Sequence, residues 1–387
     1  MYRKKSVGNG NHPFRPAYVE VDLNRLQQNF AIINRDCPPN VRLLAVVKDQ
    51  AYGHGAVEVA RVALEAGAVY LATATLDSAL ELRQNGITAP ILLFGECLPQ
   101  HMKICIEEHI TCCVNDTHNA RAFSLLAART GKIVPVHIEV DTGLSRYGVR
   151  WTKAMQVIEF IANVPGLILE GVMSHFAMSD ELDKSFALQQ LERFKQVLDH
   201  MAQRHIQVKY RHMCNTGGFL DLPHAHFDMV RIGILPLGIY PSQVCRRIPG
   251  LQPVMSVKTR IAVIRDLECG DTVGYGMRYR AESLRRIAVL PIGYGDGFPR
   301  LCNKGHVLVS GQRAPIIGGN AMDAMMIDIT DIPQPKLWDE VVIMGRQGNE
   351  EISVHEIAQL KGSVSYDILA GWSWRLPRVY SRLKTKD

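Results

Sequence analysis

The sequence predicts an α/β protein: an N-terminal (β/α)8 TIM-like barrel followed by a C-terminal, mainly β domain. Three observations carry this expectation. Between Val41 and about Arg231, short runs rich in Val, Ile and Leu alternate with amphipathic segments bounded by cap residues, which is the rhythm of βα units. These apolar runs number eight, and an amphipathic segment at 22–35 ahead of the first supplies the remaining helix, favouring a closed barrel over an open doubly wound sheet. After Pro241 the helical spacers stop and strand-like runs follow one another closely.

In chain order the barrel strands are expected at 41–47, 69–74, 91–95, 110–114, 136–140, 167–174, 211–214 and 228–230. Among the helices, 77–85 takes Asp77 as its N-cap, with Gly86 past its end. The helix 117–130 takes Thr117 as its cap and Gly131 as its stop, with Ala120, Phe123 and Ala127 on one face. Further strands are expected at 254–264, 287–291, 306–309, 325–329 and 340–344, with one helix at 353–361. The domains expected are 17–245 for the barrel and 246–387 for the β domain, which the segment 1–16 could join.

The 387 residues, 47% hydrophobic, suffice for a large core and a second domain. The 44 basic and 38 acidic residues give a net charge of +6, but apart from terminal clusters at Arg3–Lys5 and Lys384–Lys386 the basic residues are scattered. That is a solvated surface and not a nucleic-acid stripe. No apolar stretch reaches membrane-spanning length and no h-region follows the N-terminus, so a cytoplasmic protein without membrane contact is expected. The nine cysteines are odd in number, lack C-x-x-C spacing and include adjacent Cys112 and Cys113 in an apolar run, which reads as reduced, mostly buried thiols. No metal-ligand set is recognisable, the only late histidines being His306 and His355.

In a (β/α)8 barrel the C-terminal ends of the strands converge on one mouth. Lys48 follows strand one, the segment Asp141 to Arg146 strand five, His175 strand six, Asn215 and Thr216 strand seven, and Arg231 strand eight. A lysine drawn behind the apolar run Leu43 to Val47 has its ammonium destabilised, leaving an amine able to form Schiff bases. Taken alone, Lys48 reads equally as a strand-ending lysine that snorkels to solvent. Likewise His175 reads as structural, Tyr275 as a half-buried strand tyrosine, and Gly233 as a turn.

The segment Ala45 to Gly55, AVVKDQAYGHG, resembles the pyridoxal phosphate lysine motif of the alanine racemase family. The resemblance continues through DTGLSRYG at 141–148, MSHFA at 173–177, FDMVRIGI at 227–234, VGYG at 273–276, IGYGDG at 292–297, AMD at 321–323 and RLPRVY at 375–380. It implies a pyridoxal phosphate barrel followed by a β domain. Lys48 would carry the cofactor and act as one of two catalytic bases. Tyr275 would be the other, delivered to the opposite face from the partner subunit, and two bases on opposite faces explain inversion. Arg231 would face the pyridine nitrogen, where a permanent charge disfavours ring protonation and restricts side reactions. His175 would bridge Arg231 and Tyr275.

By the same resemblance, Tyr52, Asn215, Thr216, Gly233 and Ile234 would hold the cofactor's phosphate, with Thr216 replacing the usual serine and Asn215 acting through neighbouring backbone. Arg146 would meet the cofactor's phenolic oxygen and the substrate carboxylate. Met322 would meet that carboxylate from the partner chain, and Tyr294, Asp323 and Arg300 would line the substrate channel. The implied activity is conversion of L-alanine to D-alanine by a homodimer with shared active sites. Alternatives are a serine or broader-specificity racemase, a same-fold decarboxylase or aldolase, and a non-catalytic pyridoxal phosphate-binding protein. Such decarboxylases carry a Cys-bearing C-terminal motif absent here, and the non-catalytic proteins are usually lone barrels.

Two departures stand out. Many relatives have a carbamylated lysine two residues before the aspartate of DTG, where this chain has Glu139, on the same side of the strand as Asp141. The Glu139 carboxylate would replace the carbamate and orient Arg146. Trp374 stands where relatives have a phosphate-bonding tyrosine, and its indole can donate but not accept. Asp49, Gln50 and Ala321 also differ. These changes bear on the choice of substrate and leave the chemistry in place.

Overall fold

A computed structural model describes residues 15–382, so both terminal basic clusters lie outside the described residues. The chain divides into two compact units, one spanning 23–253 and the other comprising 254 onward together with the segment before Leu23.

In the first unit the strands Arg42–Val46, Tyr70–Thr73, Ile91–Leu93, Ile110–Cys113, Val134–Asp141, Leu167–Met173, Tyr210–His212 and Met229–Ile232 form one parallel sheet in chain order. The last returns to the first, with Val230 opposite Leu43. Closure between the seventh and eighth segments comes from the Asp228 N–H donating to Arg211 O at 3.1 Å and the Arg231 N–H to Cys214 O at 2.9 Å. All eight expected strands are present. Inward residues Leu44, Val46, Tyr70, Ala72, Leu92, Cys113, Met173 and Met229 pack together, and each large apolar side chain so buried contributes about 1.5–3 kcal/mol. The helix Leu23–Asp36 lays Leu26, Phe30 and Ile33 against the unit, the i, i+4, i+7 stripe that its sequence spells.

Two caps differ from expectation. The second of the βα helices starts at Leu76, and Thr75 caps it by accepting from the Ser78 N–H; Asp77 sits in its first turn. The helix Thr117–Thr130 is capped by Asp116, whose Oδ1 accepts from the Asn119 N–H at 2.8 Å. In both cases the cap is the residue whose oxygen reaches the amide three positions ahead.

In the second unit one sheet runs in the order Gln312–Pro315, His306–Val309, Glu340–Gln347, Met255–Arg260, Tyr18–Asp22 and Arg378–Ser381. The strand Tyr18–Asp22 belongs to this sheet, antiparallel to Met255–Arg260 and parallel to Arg378–Ser381, although a boundary at residue 17 would assign it to the barrel. The division after Pro253 likewise lies eight residues beyond 245 (253 − 245 = 8). The run expected as one strand at 254–264 breaks in two, because the Ile261 N–H bonds Asp339 O while the Ala262 N–H bonds Val289 O in a second sheet. That sheet orders Val263–Leu267, Arg285–Leu290 and Met325–Asp328. A helix at Ser365–Gly371, too short and too mixed to show periodicity, was not expected. No helix among the described residues is long and apolar enough to cross a membrane.

Candidate active site

Lys48 does not end the first barrel strand but opens the turn that follows it. Asp49, Gln50, Ala51 and Tyr52 have φ of 50°, 56°, 50° and 53°, a left-handed turn that costs roughly 1–2 kcal/mol per residue for L-amino acids. Its own bonds hold it: the Ala51 N–H donates to Val47 O at 3.0 Å and the Gly53 N–H to Asp49 O at 2.9 Å. The Gln50 side chain ties it outward, accepting from the Ala56 N–H and donating to the Glu81 carboxylate. Strain over-determined in this way concentrates at functional sites. The Lys48 ammonium is half-buried, and desolvation, with the charge of Arg146 adding to it, lowers its pKa against the opposing pull of Asp49.

Arg231, at the end of the eighth strand, is 3% exposed. Its terminal nitrogens donate to Ser174 O at 2.8 Å, Met213 O at 3.2 Å, His175 Nδ1 at 2.9 Å and His212 Nδ1 at 3.1 Å. A guanidinium only donates, so both imidazoles accept at Nδ1 and carry their proton on Nε2. Burial, reinforced by Arg231, holds both well below the ordinary histidine range, which keeps them neutral. The His212 Nε2–H points to His137 Nδ1 at 3.0 Å, and His137 Nε2 faces the Glu170 carboxylate at 3.5 Å. Tyr70 donates to the same carboxylate at 2.9 Å. Hydrogen bonds thus run one way from Arg231 through His212 to His137 in the barrel interior, with the Glu170 carboxylate facing the far end, and they fix the orientation of Arg231.

Arg231 also feels a carboxylate. Glu139 is buried, and desolvation raises its pKa although Arg231 and then Arg146 oppose the rise. Burial pushes Arg231 down to about 10, with Glu139 its strongest support, so it stays charged near neutrality. Arg146 is delivered by the loop 141–148. Asp141 Oδ1 accepts from the Gly143 and Ser145 N–H groups at 2.9 Å each. At Gly148, with φ of 88°, a Cβ would fall 2.6 Å from Glu139 O, so only glycine lets this loop lie on the Glu139 strand. Buried Gln190 clamps the loop bases, donating to Thr142 Oγ1 at 3.2 Å and His175 O at 3.0 Å.

At the same mouth Asn215 caps the helix Thr216–Asp221, accepting from the Gly218 N–H at 3.0 Å and from Ser179 at 2.7 Å. Thr216 and Ile234 are buried. A Cβ on Gly233 would lie 2.4 Å from Tyr52 Oη, so backbone and phenol approach there only because residue 233 is glycine. Lys48, Tyr52, Arg146, His175, Asn215, Thr216, Arg231, Gly233 and Ile234 therefore all lie at the C-terminal ends of the barrel strands or in the loops after them.

The other expected site residues belong to the second unit. Tyr275 stands on a turn flanked by Gly274 and Gly276, both with φ of 73°, and is 78% exposed. Met322 is also exposed; Asp323 is paired with Arg375, and the Arg300 guanidinium sits 5.9 Å from the centre of the Tyr294 ring. Arg378 stacks on Trp374 at 4.0 Å. Sequence reading missed His212, His137, Glu170, Gln190, Thr142 and Ser174. The available signal was polar residues inside apolar strand runs, as in VPVHIEVD and LILEGVM.

A lysine amine, a charged arginine and a neutral histidine at a barrel mouth are groups an enzyme site can use. The descriptions "Alanine racemase, N-terminal domain" and "Alanine racemase, C-terminal domain" match residues 21–241 and 254–380. An alanine racemase of Halothermothrix orenii is 39% identical over 367 residues, covering 95% of this chain and 97% of that protein. The solved alanine racemase of Clostridium difficile 630 superposes with a TM-score of 0.92 at 32% identity, covering 96% of this chain and 97% of that one. A histidine racemase from Leuconostoc mesenteroides gives 0.88 at 29% identity, covering 97% and 100%. The chain belongs to the alanine racemase family, whose members use pyridoxal phosphate, and it is an enzyme, an amino acid racemase.

Proposed function

We propose that the protein interconverts the L and D forms of alanine with pyridoxal phosphate at the barrel mouth, as a cytoplasmic homodimer whose sites each take Tyr275 from the other copy. The observation that carries this reading is Arg231 Nε, a buried donor with no acceptor among the described residues. The cofactor's pyridine nitrogen is an acceptor of the kind this donor lacks, and a neighbouring guanidinium keeps it unprotonated. The Gly233 and Ile234 backbone, Thr216 and Tyr52 offer neutral donors suited to a phosphate.

When bound, the cofactor supplies an electron sink that acidifies the α-C–H bond of an amino acid. Lys48 Nζ, its proton loosened by burial and Arg146, takes or returns the α-proton on one face. Tyr275 Oη does the opposite on the other, and exchanging the roles reverses the reaction. The His175 Nε2–H is the donor suited to steady the Tyr275 oxygen, and Arg146 pairs with the substrate carboxylate. On this reading Asp323 and Tyr294 would line its approach, and Met322 of the other copy would meet the carboxylate through its backbone N–H. The test is to follow optical rotation and α-deuterium uptake from D2O for each L-amino acid. Alanine should lose rotation and gain deuterium together; deuterium uptake without racemisation would leave only one working base. The likeness to a histidine racemase supports a broader substrate range as the second reading, and faster turnover of a larger amino acid would favour it.

Glu139 supplies a carboxylate beside Arg231 and Arg146 from the chain itself, so bicarbonate should leave activity unchanged. Glu139→Gln is expected to lower kcat/KM by up to about 100-fold through misplacement of Arg146. Because its folded pKa is raised, Glu139 contributes stability below the unfolded value that is lost as pH rises through the folded one. The variant's melting temperature should therefore fall less between acid and neutral pH than the parent's. Unchanged kinetics and an unchanged slope would remove this role.

A further inference from the structure

We propose that Cys97, Cys105 and Cys112 form a three-thiolate site for a divalent d10 metal ion, Zn(II), in the wall of the barrel. Their sulfurs all lie within 4.8 Å of one another, with Cys97 and Cys105 3.5 Å apart. Sulfurs around a tetrahedral zinc with bonds of about 2.3 Å stand about 3.8 Å apart, so the three could close on one ion with little backbone movement. The residues come from three different elements. Cys112 is on the strand Ile110–Cys113, where Thr111 bonds inward to Tyr70 and Cys113 joins the interior cluster, so Cys112 faces the helix layer. Cys105 comes from the helix Met102–Glu107 and Cys97 from the loop after Ile91–Leu93. With exposures of 6%, 0% and 0%, the three are shielded from water.

Three apolar residues would fill this space as well, so the convergence of sulfur atoms is the informative feature. Each thiol gives up its proton as the ion binds, because the thiolate is the metal ligand. Soft sulfur sets select Zn(II) and Cu(I) among common ions. A dication on three thiolates leaves one negative charge in the wall where a monocation would leave two, and buried charge is costly, so the divalent ion is favoured. Binding one M(II) to three thiols forms three metal–sulfur bonds and releases three protons to solvent.

The site borders the catalytic mouth. Glu96, next to Cys97, accepts from Asn115 Nδ2 at 3.0 Å, and Asn115 Oδ1 accepts from the Glu139 N–H at 2.9 Å. Phe94 on the same loop lies 5.9 Å from the Arg231 guanidinium. An ion on Cys97 therefore anchors the loop that carries contacts to both Glu139 and Arg231.

The experiment uses the full chain, reduced and titrated with Cd(II) as a spectroscopic probe and with Zn(II). One equivalent should bind with a thiolate-to-cadmium absorption band, and X-ray absorption on the zinc form should show three sulfur neighbours at about 2.3 Å. Cys97→Ser and Cys105→Val should each weaken binding at least tenfold, while Cys113→Ala should leave it unchanged. Absence of the band, or binding that survives both changes together, overturns the proposal. Should the variants fail to fold, alkylation of the unmodified protein decides: zinc should protect Cys97, Cys105 and Cys112 together and leave exposed Cys269 reactive, and any other pattern of protection counts against the site.

Discussion

Lys48→Ala and Tyr275→Phe are each expected to reduce racemisation by about 10²–10⁴-fold or more, yet a mixture of the two inactive proteins should recover roughly a quarter of the parental sites. Random reassortment makes half of the dimers heterodimers, and each of these has one site with both changes and one with neither. The argument rests on the placement of Tyr275. It is 78% exposed in its own chain, on a turn where a Cβ on Gly274 would fall 3.0 Å from Met326 Cε and 3.1 Å from Gly319 O. The tyrosine is therefore held out on a rigid support while burying little of its ring, an arrangement that contributes little to its own fold. Tyr275→Phe should change stability by no more than about 0.5 kcal/mol, as surface substitutions do, so lost activity would report chemistry alone. The measurement is racemase activity after subunit exchange, set against each variant kept separate. If the mixture stays as inactive as its parts, Tyr275 does not serve a partner's site. If Tyr275→Phe alone is fully active, it is no base at all.

The barrel and the amine were legible because both leave a one-dimensional signal. An apolar run followed by a polar residue marks a strand end, and Lys48, Arg146, His175 and Arg231 all follow such runs. The left-handed turn at 49–52 left no such trace, since Asp, Gln, Ala and Tyr have no shared preference for positive φ. The interior polar column was hidden for a different reason. His137 and Glu170 sit in strands recognised by their apolar neighbours, and their role depends on partners 33 to 100 residues away in sequence (170 − 137, 212 − 137 and 170 − 70). Even the space for His137 comes from elsewhere: a Cβ on Gly171 would fall 2.5 Å from its Cε1. The cysteines at 97, 105 and 112 show no ligand spacing, because a strand, a helix and a loop bring them together and no single turn does. The strand Tyr18–Asp22 left no local sign of its sheet, because its partners begin at Met255 and Arg378.

Arg231→Gln should be the most destabilising of the changes that leave the lysine in place, with a stability loss of about 3–5 kcal/mol and a fall in kcat of roughly 10²–10³-fold. One side chain performs three tasks that a neutral amide cannot share. It offsets the buried Glu139 carboxylate, it fixes the Nε2–H tautomers of His175 and His212, and it leaves Nε as an unmet donor at the mouth. Arg231→Lys separates these roles. Its charge still faces Glu139, so much of the stability should return, but one ammonium cannot reproduce the planar fork to two imidazoles and two carbonyls, and activity should stay low. The pH dependence has a definite sign. Without Arg231 the Glu139 pKa rises further, so the stability deficit of Arg231→Gln should be widest near neutrality. It should shrink as pH falls below the carboxyl's unfolded-state pKa, where it is protonated in both states. Thermal melts of both variants across this range, alongside their turnover, decide the matter. If Arg231→Lys matched the parent in turnover, the hydrogen-bond fork would be irrelevant and charge alone would account for the residue.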